Sequence, residues 1–188
     1  MIIEDGTGTG RKVGVALDNR LETTTVSELR ITHESKTSAH SFSWTAVDEN
    51  LAAGGTALWV ANTSTTKHLH ITQIYMWADV LTQFKIHCPA YPATPAGTAV
   101  VGNNLNRTSG VSAEASAFAN ESANAFAAAN VILTLKNNEV GTDQFAVQFD
   151  FSGSVILGYH NAIAIDVIAD AANYECTIFG YFEDTANT

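Results

Sequence analysis

Apolar and polar residues alternate along most of this 188-residue chain. In residues 38–47, Phe42, Trp44 and Ala46 fall on every second position, so an extended segment would carry all three on one face. Residues 56–64 form a β-rich run that ends in turn formers. Residues 67–80 are longer and also alternate. Leu69, Ile71, Gln73, Tyr75 and Trp77 share one face; His68, His70, Thr72, Ile74 and Met76 share the other. Further strands are expected at 83–88, 130–138, 144–153, 162–170 and 173–183, each bounded by Pro, Gly, Asn or Asp. About nine to eleven strands without alternating amphipathic helices predict an all-β, antiparallel, jelly-roll-like sandwich.

Three segments interrupt the pattern. Residues 88–110 contain all 3 prolines and read as a long surface excursion, with a short strand at 98–101. Residues 111–130 are alanine-rich. Propensity favours a helix there, with Ala115, Phe118, Ala119 and Phe126 on a narrow face, while recurrent Asn and Ser favour an ordered loop lying on a neighbour. The chain opens MIIEDGTGTGRKVGVALDNRLETTTVSE. Its glycines do not fit a nucleotide loop. From Gly8 the spacing is one residue too long for a dinucleotide fingerprint, and Val13 stands where a phosphate loop needs a hydroxyl. The expectation is an extended arm over roughly 1–12, then a hairpin over 12–23 turning at Asp18-Asn19. Residues 1–36 are thus assigned to arm and hairpin, and 37–188 to the sandwich with its long central loops.

Composition narrows the function. Charged residues make up 15% and the formal net charge is -10, so nucleic acid and anionic membrane surfaces are not expected partners. The start lacks a basic, apolar leader, which predicts a chain made and folded in a cytosol. There Cys88 and Cys176 are expected as free thiols, and the sequons at Asn62, Asn106 and Asn120 carry no glycan.

Candidate chemistry is sparse. His68 and His70, two apart on a strand, present both imidazoles to one face with metal-ligand spacing, and His160 is a conceivable third ligand. Cupin enzymes use such a pair followed by a Glu; here Gln73 follows and the first acid is Asp79, so neither metal nor cofactor is expected. Asp150, Asp166, Glu175 and Glu183 are scattered and read as solvated or capping carboxylates. Trp44, Trp59 and Trp77 read as core. No catalytic set emerges, and the chain is expected not to be an enzyme.

The opening, with its D-G-T-G and N-R-L elements, resembles the N-terminus of small virion proteins of tailed bacteriophages. The stretches LHITQIYMW, NLNRTSG, SVILGYHNAIAIDV and the closing FGYFE are similar to the same family. The resemblance implies a homotrimeric jelly-roll-like structural protein, assembled in the host cytoplasm and carried on the outer capsid surface. Its partners would be the major capsid protein or neighbouring virion proteins. Head decoration (cement) is the leading role; neck, vertex or tail-fibre anchor and a cupin-like metal enzyme or ligand-binding barrel are the alternatives. Ile2, Ile3, Asp5, Gly6, Gly8, Gly10 and Arg11 would then form the capsid-binding arm. Ordering this arm costs about 1–2 kcal/mol of backbone entropy per residue. Burying Ile2 and Ile3 returns only about 3–6 kcal/mol in all. A partner surface must supply the rest. Deleting residues 1–10 should therefore leave the Tm of the free protein within a degree or two, while sharply reducing incorporation into particles. Unfolding of the truncated chain, read by calorimetry, would place the arm in the core.

Overall fold

The computed structural model describes residues 2–4, 12–14, 29–51, 55–90, 97–121, 130–137, 139–140, 143–144, 146–168 and 172–185. Eight long strands carry the architecture: β3 (Ser41–Leu51), β4 (Gly55–Asn62), β5 (Lys67–Ala78), β6 (Gln83–His87), β10 (Val131–Lys136), β13 (Val147–Leu157), β14 (Ala162–Val167) and β15 (Ala172–Asp184). They pair antiparallel as β3 with β15, β4 with β14, β5 with β13 and β6 with β10. The chain is thus one long ribbon folded back at the β6–β10 connection. Rolled up, the ribbon gives two sheets, β13-β5-β15-β3 and β10-β6-β14-β4, in which β15 also pairs with β5 and β14 with β6. This is the jelly roll, an antiparallel β-sandwich.

The connection between β6 and β10 does more than loop. Its strands β7 (Thr98–Ala99) and β9 (Ala115–Glu121) extend one sheet beyond β4, and β8 (Asn103–Asn104) extends the other beyond β3. Two sheet edges are covered in this way, which removes sites of unwanted strand pairing. In the described part of the alanine-rich segment, Ala115–Glu121 accordingly form a strand and not a helix; residues 122–129 lie outside the described residues. β9 pairs with β4 along its length, Ala117 and Ala119 pack inward, and Phe118 stacks on Trp59 at 5.1 Å. Ladder bonds and burial outweigh the few tenths of a kcal/mol per residue by which alanine prefers a helix. Phe126 lies outside the described residues.

The core lies between the sheets. Phe42, Trp44, Leu58, Ile71, Ile74, Phe84, Ile163, Ile178 and Phe182 are fully enclosed, with Phe42 edge-on to Phe182 at 5.7 Å. The two faces expected of β5 do not run its whole length. Leu69 and Ile71 are buried, and so are Ile74, Met76 and Ala78. Thr72 is the extra residue of a bulge, since Phe179 pairs with Gln73 but Gly180 with Ile71. One inserted residue moves every later side chain to the opposite face.

A helix, α1 (Arg30–Thr37), lies against β15 and β3, where no helix was expected. It is two turns long and has a single aliphatic residue, Ile31, so it carries no apolar stripe to read. Its supports are polar. Arg30 pairs with Glu34 at 2.9 Å and Thr37 Oγ1 donates to the His33 carbonyl at 2.7 Å. At the N-terminus, β1 (Ile2–Glu4) pairs antiparallel with β2 (Lys12–Gly14), joining the two ends of the glycine-rich run. The expected turn at Asp18-Asn19 lies outside the described residues.

Gly180 sits where β5 and β15 approach at the bulge, and a Cβ there would lie 2.6 Å from the His70 carbonyl oxygen. Backbone cannot move aside cheaply. Gly180→Ala should cost about 1–3 kcal/mol in urea unfolding. Gly110→Ala, where a Cβ meets nothing within 4 Å, should stay within about 0.5 kcal/mol of wild type.

Candidate functional site

The bulge in β5 faces a larger irregularity in β13. Asp150 pairs with Gln73 and Val155 with Ile71, so residues 151–154 loop out of the ladder. Ser152 and Gly153 both have positive φ, 52 and 78°, as in the tight primed turns of hairpins. Asp150 fixes the turn by accepting from the Ser152 N–H at 2.6 Å, and Ser154 Oγ donates to the Phe151 carbonyl at 2.7 Å. This turn and the start of α1 flank a cavity of about 240 Å³ on the outer face of the β13-β5-β15-β3 sheet. Leu29, Ile31 and Phe179 supply its apolar wall; Arg30, Thr72, Gln73, Asp150, Ser152 and Tyr181 supply its polar groups.

Beside the cavity, His70 lies flat on Tyr181, with ring centres 4.8 Å apart. Its Nδ1 is 3.4 Å from the Gly153 carbonyl and its Nε2 is 3.6 Å from Glu183 Oε2. Glu183 in turn accepts from Arg30 at 2.6 Å, which ties the sheet to α1. Burial holds the His70 imidazole below its ordinary pKa; the Gly153 carbonyl and Glu183 oppose this, while His68 and Arg30 add to it. Burial, helped by Glu183, pushes the Tyr181 phenol up, so it stays a neutral hydroxyl.

The sequence-predicted residues distribute differently from any metal site. His68 and His70 do share a face, but His160 lies in the turn before β14, stacked on Tyr159. Among the described residues no three His, Cys, Asp or Glu side chains gather as metal ligands. Cys88 is half-buried and Cys176 buried, both as free thiols; burial pushes both thiols up, Cys176 far up, so neither is a ready nucleophile. Trp44 and Trp59 are fully enclosed, whereas Trp77, also expected in the core, is half-buried on the outer face of the β13-β5-β15-β3 sheet, because the bulge at Thr72 turns it outward. Of the arm, Ile2 and Ile3 stand in β1, while Asp5, Gly6, Gly8, Gly10 and Arg11 lie outside the described residues.

Asp166 departs from the expected solvated carboxylate. It is buried on the outer face of the second sheet, accepts from Thr56 Oγ1 at 2.7 Å and lies 2.8 Å from His87 Nε2. Burial pushes its carboxyl up, against the hydrogen bond from Thr56 and the charge of His87. The order is Thr–Asp–His, with the carboxylate in the middle. A nucleophile triad needs the imidazole between hydroxyl and carboxylate, so this group crosslinks β4, β14 and β6 and cannot activate the hydroxyl. Adjacent-strand registers create it, and no spacing in the sequence announces it. Asp150, by contrast, does cap a turn as expected.

No family model, curated protein or solved structure matches the chain. Among the described residues no helix is long and apolar enough to cross a membrane.

His70 gives the site a pH signature. The unfolded chain takes up a proton near the ordinary histidine pKa of about 6.5, whereas native His70 resists it. Below that pH the unfolded state binds more protons, so stability falls with pH until the lowered native pKa is passed. His70→Gln should flatten this part of the profile between about pH 7 and 5. Parallel urea midpoints for wild type and variant measure the difference, and identical slopes would show that His70 titrates as if unfolded.

Proposed function

We propose that this chain is a structural subunit of a tailed-bacteriophage virion, a decoration protein that works as a homotrimer and stabilises the shell of the major capsid protein. The observation that supports the reading best is the outer face of the β13-β5-β15-β3 sheet. Register places Thr45, Thr177 and Tyr75 in one row across three strands, and Val47, Glu175 and Trp77 in the next. Val47 and Tyr75 are exposed, and Thr45 and Thr177 hydroxyls bond each other at 3.0 Å. Six adjacent positions therefore offer one charge. A rigid, twisted, nearly uncharged sheet face of this kind favours a permanent neighbour over solvent. The low charge of the whole chain points the same way, and many copies on a symmetric shell would multiply modest contact energies.

A subunit of this kind needs rigidity, protected edges and a means of attachment. The jelly roll supplies the first, and the β6–β10 insertion supplies the second by covering β3 and β4. Attachment falls to the N-terminal segment, where β1 pairs with β2 in place of the expected extended arm; the outer edge of this two-stranded sheet, with Ile2 and Ile3, can add main-chain hydrogen bonds and apolar contact to a neighbour.

Light scattering coupled to size exclusion should give three times the 20.0 kDa chain mass. Tyr75→Glu and Val47→Glu, which place charge on the proposed contact, should yield folded monomers with an unchanged β-sheet circular dichroism spectrum. A wild-type monomer at micromolar concentration argues against the trimer. Electron microscopy of intact particles, with the chain labelled, should place it on the outer shell; its absence from particles would refute the virion reading as a whole.

A further inference from the structure

We propose that the cavity between α1 and the outer face of the first sheet binds a neutral sugar, one monosaccharide unit at a time. Size is the first constraint. About 240 Å³ lies below the roughly 300–1,000 Å³ of sites for drug-sized ligands, so the occupant is small. Rigidity is the second. Asp150 is held by the turn it caps, Tyr181 by its stack on His70, and Arg30 by Glu183 and Glu34. A ligand here would order little of the protein on binding.

The polar groups then select the chemistry. Tyr181 is 6% exposed and lines the cavity, yet its phenol hydrogen-bonds to no described residue. The half-buried Gln73 carboxamide, also lining the cavity, likewise bonds to no described residue. Both groups open onto the cavity, where a ligand that supplies partners replaces water and a ligand that cannot is penalised. Tyr181 can donate and accept, Gln73 can do both at two adjacent atoms, and Asp150 retains a second oxygen as acceptor. Adjacent hydroxyls that each donate and accept match this set. Ile31, Leu29 and Phe179 meet the C–H face that a pyranose ring also presents.

The other small polar classes match this set less well. An anion would face Asp150, while Arg30 is already engaged by two carboxylates. A cationic ammonium has only donors, so it would leave the Tyr181 hydroxyl proton and the Gln73 N–H groups without acceptors. A neutral polyhydroxyl ring meets neither obstacle. This inference is independent of the virion reading, since it rests on the cavity and not on the uncharged sheet rows.

Saturation-transfer NMR and titration calorimetry on the full chain test it with glucose, galactose, mannose, rhamnose and N-acetylglucosamine. Glucosamine and glucuronate serve as the charged counterparts. At least one neutral sugar should bind with a Kd of about 1 mM or tighter, and its charged counterpart at least tenfold more weakly. Tyr181→Phe keeps the ring stack and removes only the hydroxyl; Gln73→Ala removes the amide. Each should weaken binding at least tenfold with the Tm unchanged. The proposal fails if no neutral sugar binds below about 20 mM. It fails equally if glucosamine or glucuronate binds best, or if both variants bind as wild type does.

Discussion

The last two long strands hold this molecule together. β3 and β5 belong to the same sheet but do not touch; β15 lies between them and pairs with both. β4 and β6 are likewise joined only through β14. Neither sheet exists until the C-terminal part of the chain has threaded between strands made much earlier. The ladders therefore close loops of more than a hundred residues, as between Ser41 and Tyr181. Such a topology carries a large loop-closure cost before hydrophobic burial returns it, and it folds slowly for that reason.

That threading explains where the irregularities fall. A ribbon rolled into a sandwich must bend, and bulges are how antiparallel ladders bend. β5 bulges at Thr72 against β15, β13 loops out opposite the same point, and β14 shifts register against β4 between Ile165 and Asp166. The first two distortions open the sheet's outer surface beneath α1 and so create the cavity. The third brings Asp166 level with Thr56. At the rim, Asn62 acts as an internal strut. It is fully buried, donates to the Lys67 and Leu157 carbonyls at 2.8 Å and accepts from the Ser64 N–H. Asn137 does the same at another corner, donating to Val80 and accepting from Thr82. Turns that would otherwise leave buried carbonyls unpaired are satisfied by two amide side chains.

The inserted connection between β6 and β10 has a comparable double use. It supplies edge-covering strands to both sheets, and its asparagines anchor it. Asn104 donates to the Ala39 and Val111 carbonyls, and Asn106 to the Ser35 carbonyl at the end of α1. Lys67 and Glu114 form an ion pair between β5 and the same insertion, which holds the Glu114 carboxyl below its ordinary range. Helix, insertion and sheet are thus tied at one end of the sandwich, next to the cavity.

Alternation placed most of the eight strands, because one buried face per strand forces a period of two on the residues that fill it. Phe42, Trp44 and Ala46 are the clearest case. β4 and β14, buried on both faces, were legible instead as short β-rich runs closed by turn residues. The all-β class and the antiparallel sandwich follow from the same pattern. What alternation cannot carry is any event that depends on a neighbouring strand. The face switch at Thr72 requires the register of β15. The strand at Ala115–Glu121 requires the open edge of β4, which overrides alanine's own preference. The meeting of Thr56, Asp166 and His87 requires three strands distant in sequence, and whether His68, His70 and His160 gather as ligands, which they do not, depends on the turn between β13 and β14. Local propensity and hydrophobic period are properties of a segment. Register, edge cover and the cavity beneath α1 are properties of pairs of segments, and only the folded chain brings those pairs together.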